Sequence, residues 1–351
     1  LFDSNTTIRV SGKDLTMPLG NRARSKRFGM LGTVRGFVSI VKELSFDDVR
    51  AEAELAPRLL VLAPDESAAA FLGRALCGDS PAMSLSFRPL NAALKDLGSF
   101  DAVVVHDPER TGAIDRAHEA MPSMDGPAPV FAFTGADSSA SAALAELRAT
   151  MMHQLPERAS AFGRACPPFR AAAAKVVIDE TSKANAQFAL VSNIPSVVPV
   201  VGALAAASAD FLVLTKNQVM MFYKIGAIHG RDLRDKWGIL REISPVVGAG
   251  FVWRTLAREA ASFVPLAAGT IPKVVIAYAG TLAAGRAADF YFRMGKKPSR
   301  EQMLAYYRQG AEAVKKLPLP GRNGNEREES GGGKTALSAA ASNRNGELSG
   351  A

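Results

Sequence analysis

Two long apolar stretches, each carrying a single charge, constrain this chain more than any other feature. Ile194–Leu214 runs for 21 residues with Asp210 as its only charge, and Val264–Gly285 runs for 22 residues with only Lys273. About 20 apolar residues suffice for a helix to cross the roughly 30 Å hydrocarbon core of a bilayer. Both stretches, bounded by Ile194, Leu214, Val264 and Gly285, therefore read as membrane-contact segments, and on length and hydropathy alone each predicts a transmembrane helix. A charge at mid-helix opposes insertion by about 2.5–3.5 kcal/mol, which weighs more against the central Lys273 than against Asp210 near one end. Residues 216–263 carry eight Lys/Arg and the region after 285 is also basic, so a positive-inside preference acts on both sides at once. Three arrangements stay open. The segments form a buried hairpin in a bundle, with Gly202, Ala206 and Ala209 permitting close approach; they insert together with Asp210 and Lys273 paired; or the bundle docks on a membrane through its basic rim. A mutually packed pair is favoured over two separate spans.

Charge is partitioned along the chain. Residues 57–150 hold 7 Lys/Arg against 12 Asp/Glu, whereas residues 169–316 hold 20 against 10. The basic half is also the apolar half, which suits anionic lipid headgroups. Nucleic acid is not expected, because neither aromatic stacking platforms nor a recognisable nucleic-acid-binding motif accompanies the basic residues. Cys77 and Cys166 have no second Cys or His at ligand spacing, so they read as ordinary buried thiols and no metal or other cofactor is expected. The four histidines show no paired metal spacing, and His229 before Gly230 reads as a helix C-terminus.

The organisation follows from pattern. Residues 1–29 are polar and patternless and predict a disordered or non-native leader, with Met30 as the natural start. Residues 30–56 predict amphipathic lead-in helices. Residues 57–154 alternate short apolar strands (Arg58–Ala63, Ser84–Phe87, Asp101–His106, Val130–Thr134) with helices, including Asn91–Leu97 and Ser139–His153. Continuous apolar strands alternating with helices imply a small doubly wound parallel sheet, an α/β fold. Residues 155–168 break the pattern as a connector, residues 169–317 predict an all-α module, and residues 318–351 predict a disordered tail.

In such sheets ligands bind at the carboxyl ends of the strands. A phosphate-binding loop needs two glycines, a lysine and a hydroxyl at fixed spacing, but those places fall on Ala63, Ala68, Ala69 and Ala70. The loop carries Asp65 and Glu66, which repel phosphate. Thr134 and Asp137 resemble a guanine-reading motif that has lost its lysine. A phospho-receiver template matches better, with Asp65 and Glu66 after the first strand, Asp107 after the third and Thr134 after the fourth, but residues 155–170 offer no fifth strand or lysine. The domain is thus degenerate, GTPase-like or receiver-like. Solvated loop carboxylates are the plain alternative for these residues.

In the helical half, Asp210, Lys216, Asn217 and Gln218 place polar groups on apolar helices. They form either a ligand or partner site or a hydrogen-bond network fixing helix register. Residues 181–232, with Asn185, Pro195, Pro199, Gly202, Asp210, Leu214–Gln218 and Gly230, resemble the bacterial domain-of-unknown-function family 697 (YcjF-like), and the likeness continues through Pro265 and Gly269 to about Lys316. That resemblance implies a bacterial inner-membrane location, with the α/β domain cytoplasmic, and GTPase association, but no reaction. The expectation is a non-enzymatic, membrane-associated protein with membrane lipids and a protein partner, a GTPase or a second copy of itself. The alternative is a nucleotide-binding or receiver-like phospho-switch.

Overall fold

Arg58–Ala63 is apolar after its first residue, and Leu59 to Ala63 are buried on both sides. Such a run belongs at the centre of a sheet covered on both faces. The computed structural model describes residues 8–10, 13–15, 41–42, 44–79, 82–94, 98–120, 122–123, 126–135, 140–191, 201–247 and 270–314; for 8–10, 13–15, 122–123, 126–127, 191, 201–212, 245, 247 and 270–273 it describes the backbone alone. Strand β1 (Arg58–Ala63) lies between β2 (Ser84–Pro89) and β3 (Ala102–Val105), and β4 (Val130–Ala132) pairs with β3. All pairings are parallel and the order is β2-β1-β3-β4. Leu59, Val61, Val104 and Phe131 line one face, against α2 (Glu66–Cys77) and α4 (Ser141–Gln154). Leu60, Leu62, Val103 and Val105 line the other, with Leu94, Phe100 and α3 (Ala113–Ala120). This is an α/β domain. Two short antiparallel ribbons, Ile8–Val10 with Lys13–Leu15 and Pro122–Ser123 with Gly126–Pro127, lie outside its sheet.

Local chemistry sets the helix ends. The Asp65 carboxylate accepts the Ala68 amide at 2.8 Å, which starts α2 by satisfying an orphan donor. Gly78, at φ 73°, ends it. The helix expected at Asn91–Leu97 is absent from the described residues 91–94, which form a turn and coil. There the Leu90 amide still donates to Ala63 O and the Ala92 amide donates back to Pro89 O, so the backbone is engaged in the exit from β2.

The expected connector is structured. Helix α5 (Ala159–Ala165) is buried at every position except Arg164, and a 3-10 turn over Pro167–Phe169 leads from it into α6 (Arg170–Val191). Arg158, just ahead of α5, donates to Asp101 Oδ1 at 3.1 Å and to the carbonyls of Glu52 and Leu55 at the end of α1 (Asp47–Glu54). Asp101 in turn accepts the Arg58 amide at 2.7 Å. One guanidinium thus joins the lead-in helix, the entrance of β3 and the start of the helical half. Phe46 makes a second link: its ring meets Tyr223 edge-on at 4.7 Å, with the Lys236 ammonium 5.0 Å from its centroid.

Among the described residues the helical half contains α6, α7 (Val201–Ile228), α8 (Lys236–Val247), α9 (Thr270–Met294) and α10 (Arg300–Val314). Helices α6, α7 and α9 converge at Gly285, where an added Cβ would stand 2.8 Å from Ile178 and 3.0 Å from Met221 Sδ. Ala279, Ala283 and Ala287 of α9 receive Met303, Tyr307 and Ala311 of α10. Pro272 occupies the first turn of α9, where a missing N–H leaves no intrahelical bond unmade.

The transmembrane-helix expectation is overturned: among the described residues no helix is long and apolar enough to cross a membrane. Helix α7 takes up the first apolar stretch only from Val201 and continues past Leu214 into Lys216, Asn217 and Gln218. Helix α9 takes up the second from Thr270 and continues into Arg286 and Asp289. Leu214 is half-buried, and Gly285 is enclosed by protein. Ile194 and Val264 lie outside the described residues, as do the side chains of Asp210 and Lys273.

Gly310 tests the helix contacts. A Cβ there would stand 2.8 Å from Ala279 Cα and 3.0 Å from its Cβ. Alanine favours a helix over glycine by about 0.5–1 kcal/mol, whereas forcing atoms into a closed contact costs about 1–3 kcal/mol. Gly310→Ala is therefore expected to destabilise the protein, read as a lower urea midpoint, despite its better helix propensity.

Candidate functional site

Parallel register brings the ends of β1, β3 and β4 to one edge of the sheet, with Leu62 opposite Val105 and Val105 opposite Ala132. Asp65, Glu66, Asp107 and Thr134 follow those ends, as the strand pattern predicts; Asp137 lies outside the described residues. Asp65 is occupied as the α2 cap, and Glu66 is exposed in the first turn of that helix, where a negative charge suits the helix dipole.

Asp107 organises its own loop. Oδ1 accepts the Thr111 amide at 2.9 Å, and Oδ2 accepts the Thr111 hydroxyl and the Ala113 amide, both at 3.2 Å. Desolvation raises its pKa, but those hydrogen bonds and the nearby Arg116 guanidinium outweigh it and hold the carboxyl below its ordinary value. The loop it braces contains Arg110 at φ 54° and Gly112 at φ 77°. Left-handed backbone at a non-glycine residue is strained by about 1–2 kcal/mol, and Asp107 supplies bonds that offset the strain. Arg116 closes the loop over β2 by donating to Thr111 O and Leu90 O.

Beside this loop, His106 meets Phe133 edge-on at 5.3 Å, and its Nδ1 is buried without a hydrogen-bond partner among the described residues. Thr134 is exposed. No group of three or more His, Cys, Asp or Glu side chains among the described residues is placed to hold a metal ion. At this edge Asp65 starts a helix and Asp107 braces a loop.

The second polar set lies inside the bundle. Asn185 of α6 is fully buried; its Nδ2 donates to Thr281 Oγ1 of α9 at 2.8 Å, and its Oδ1 accepts Asn217 Nδ2 of α7 at 2.7 Å. Gln218 Nε2 of α7 donates to the same Thr281 oxygen at 3.2 Å. Three helices thus share one hydrogen-bonded cluster. The pattern singles out Asn217 and Gln218, and Asn185 among the family features; it gives no signal for Thr281, a hydroxyl in a run of small residues. Lys216 is half-buried on α7. The side chain of Asp210, on the same helix, lies outside the description.

A third cluster closes α7. The Gly230 amide donates to Ala227 O and the Arg231 amide to Gly226 O, with Gly230 at φ 76°; this is a Schellman ending. Arg164 of α5 donates to Ala227 O and Arg231 O. His229 Nε2 lies 2.8 Å from Asp289 Oδ1, in hydrogen-bond contact, and its ring stacks on Phe292. Arg231 pairs with Glu242, which raises the pKa of the arginine.

Comparison of the chain with protein-family models, with curated proteins and with solved structures gives no match in any of the three. The resemblance of residues 181–316 to family 697 thus rests on the sequence features alone.

Two substitutions separate these roles. Thr281→Val removes the oxygen that accepts from both Asn185 and Gln218; leaving a buried donor unsatisfied costs about 1–3 kcal/mol, so a stability loss of at least that size is expected in chemical denaturation. Asp107→Asn addresses pH. A depressed folded-state pKa gives stability that is complete above the unfolded value and lost as pH falls through the folded one. The stability gap between wild type and Asp107→Asn, measured by urea unfolding across pH, should narrow below about pH 4.

Proposed function

We propose that the protein is a non-enzymatic, membrane-surface protein in which the helical half docks on anionic lipid and the α/β domain serves as a protein-interaction module. The observation that carries this reading is the turn between α9 and α10. Met294 is 50 % exposed there, among the exposed cations Arg293, Lys296, Lys297 and Arg300. Gly295, at φ 66°, turns the chain directly after α9. An exposed apolar side chain with exposed cations close to it in sequence suits the headgroup boundary of an anionic bilayer. The excess of basic residues in this half supports the same reading; a bacterial inner-membrane setting, with a GTPase or a second copy as partner, belongs to the proposal as what the family-697 resemblance implies.

For the α/β domain we favour a degenerate, doubly wound sheet of receiver-like rather than GTPase-like type. Its order β2-β1-β3-β4 matches the first four strands of flavodoxin-like sheets, with the switch point between β1 and β3. Its carboxylates support an interaction role rather than phosphotransfer, because Asp65 and Asp107 bind their own loops and the residues that follow α4 form the helix α5 rather than a lysine-bearing fifth strand.

Co-sedimentation of the full chain with vesicles tests the docking. Binding to vesicles containing phosphatidylglycerol, weakened by salt and absent with phosphatidylcholine alone, is expected. Each cation near such a surface contributes about 1 kcal/mol, so the double substitution Lys296→Glu, Lys297→Glu should weaken binding by more than about thirtyfold. Binding indifferent to lipid charge or to these lysines would overturn the proposal.

A further inference from the structure

Three sulfur atoms meet beneath the sheet. Cys77 ends α2 and Cys166 follows α5; both are free thiols with no exposed surface. Cys166 Sγ lies 2.8 Å from Sδ of Met83, which is itself 8 % exposed at the entrance of β2. The Cys77 thiol is hydrogen-bonded to Cys166. Next to them Arg148 of α4 is fixed by bonds to Leu76 O at 2.9 Å and Ala75 O at 2.7 Å, and its charge acts on both thiols. Three separate parts of the chain thus deliver sulfur to one point beside one anchored cation.

We propose that Cys77, Cys166 and Met83 form a binding site for a soft monovalent cation, copper(I) or silver(I). Thiolate and thioether donors select soft metals. Zinc fits poorly, since it takes four ligands from thiolate, imidazole and carboxylate, and among the described residues no His, Asp or Glu joins the two cysteines in a metal-binding group. Binding breaks two S–H bonds and forms two metal–thiolate bonds and one metal–thioether bond. Both protons leave to solvent and no electron is transferred. The resulting centre has a net charge of minus one, which the Arg148 guanidinium offsets. A disulfide between the same cysteines needs a two-electron oxidant and leaves the position of Met83 without a role.

The full chain, reduced and free of oxygen, is titrated with silver(I) and with copper(I) buffered by a competing chelator. Sulfur-to-metal absorption in the ultraviolet and thermal unfolding are followed together. One tightly held ion per chain and a raised Tm are expected, since a ligand of the native state stabilises it. Loss of an outer-shell partner costs metal sites roughly 10–100-fold; Cys77→Ser and Cys166→Ser should each exceed that range, and Met83→Leu, which conserves volume, should weaken binding at least about tenfold. If a serine variant does not fold, Met83→Leu decides. No stoichiometric binding, affinity unchanged in Met83→Leu, or oxidation to a disulfide in place of metal uptake would overturn the proposal.

Discussion

Everything in this molecule hangs on the burial of α5. Phe162 and Phe169 lie with ring centroids 5.3 Å apart, both fully enclosed, where the apolar layer under the sheet runs into the interior of the helix bundle. A single continuous core contains Leu59 and Val61 of β1, Phe162 of α5 and Tyr223 of α7. Side chains of that size each contribute about 1.5–3 kcal/mol on burial, so the junction adds to the stability of both halves. Gly163 shows how closely the parts approach: a Cβ there would stand 2.8 Å from Ile228 and 3.0 Å from Ala173. Arg158 and Arg164, at the two ends of this short helix, bond backbone carbonyls on opposite sides of the junction.

Polar groups then give the apolar framework its register. Packing among alanines tolerates sliding, because one small residue resembles the next. The cluster of Asn185, Asn217, Gln218 and Thr281 does not, since each donor there points at a particular oxygen. Buried polar contacts of this kind contribute little net stability but strongly penalise misalignment. The carboxylates at the sheet edge act similarly on loops: Asp65 sets where α2 begins, and Asp107 sets the path from β3 to α3.

Legibility follows the range of the forces involved. The strands β1 and β3 are readable because a run buried on both faces needs no partner to reveal it, and the ending of α7 because Gly230 is a local requirement of the backbone. Helix α3, only eight residues long, spans too few turns to stand out, and the turn after Pro89 reads as a helix because the pull of the Ala63 carbonyl on the Leu90 amide has no sequence signature. The α5 segment, bounded by prolines, looks like a linker; its burial comes from Ala173 and Ile228, contacts that composition cannot disclose. The apolar stretches mislead in the opposite direction. Within them Gly285 packs against Ile178 and Met221, and among the described residues no helix is long and apolar enough to cross a membrane.

The shared core carries a consequence for how the chain behaves when divided. Residues 155–168 mark a change of pattern in the sequence, but no seam in the molecule lies there. A polypeptide severed at that point leaves each fragment with an uncovered apolar face shaped by the other. The two pieces are thus natural complements, and a lone piece offers the same face to a second copy of itself.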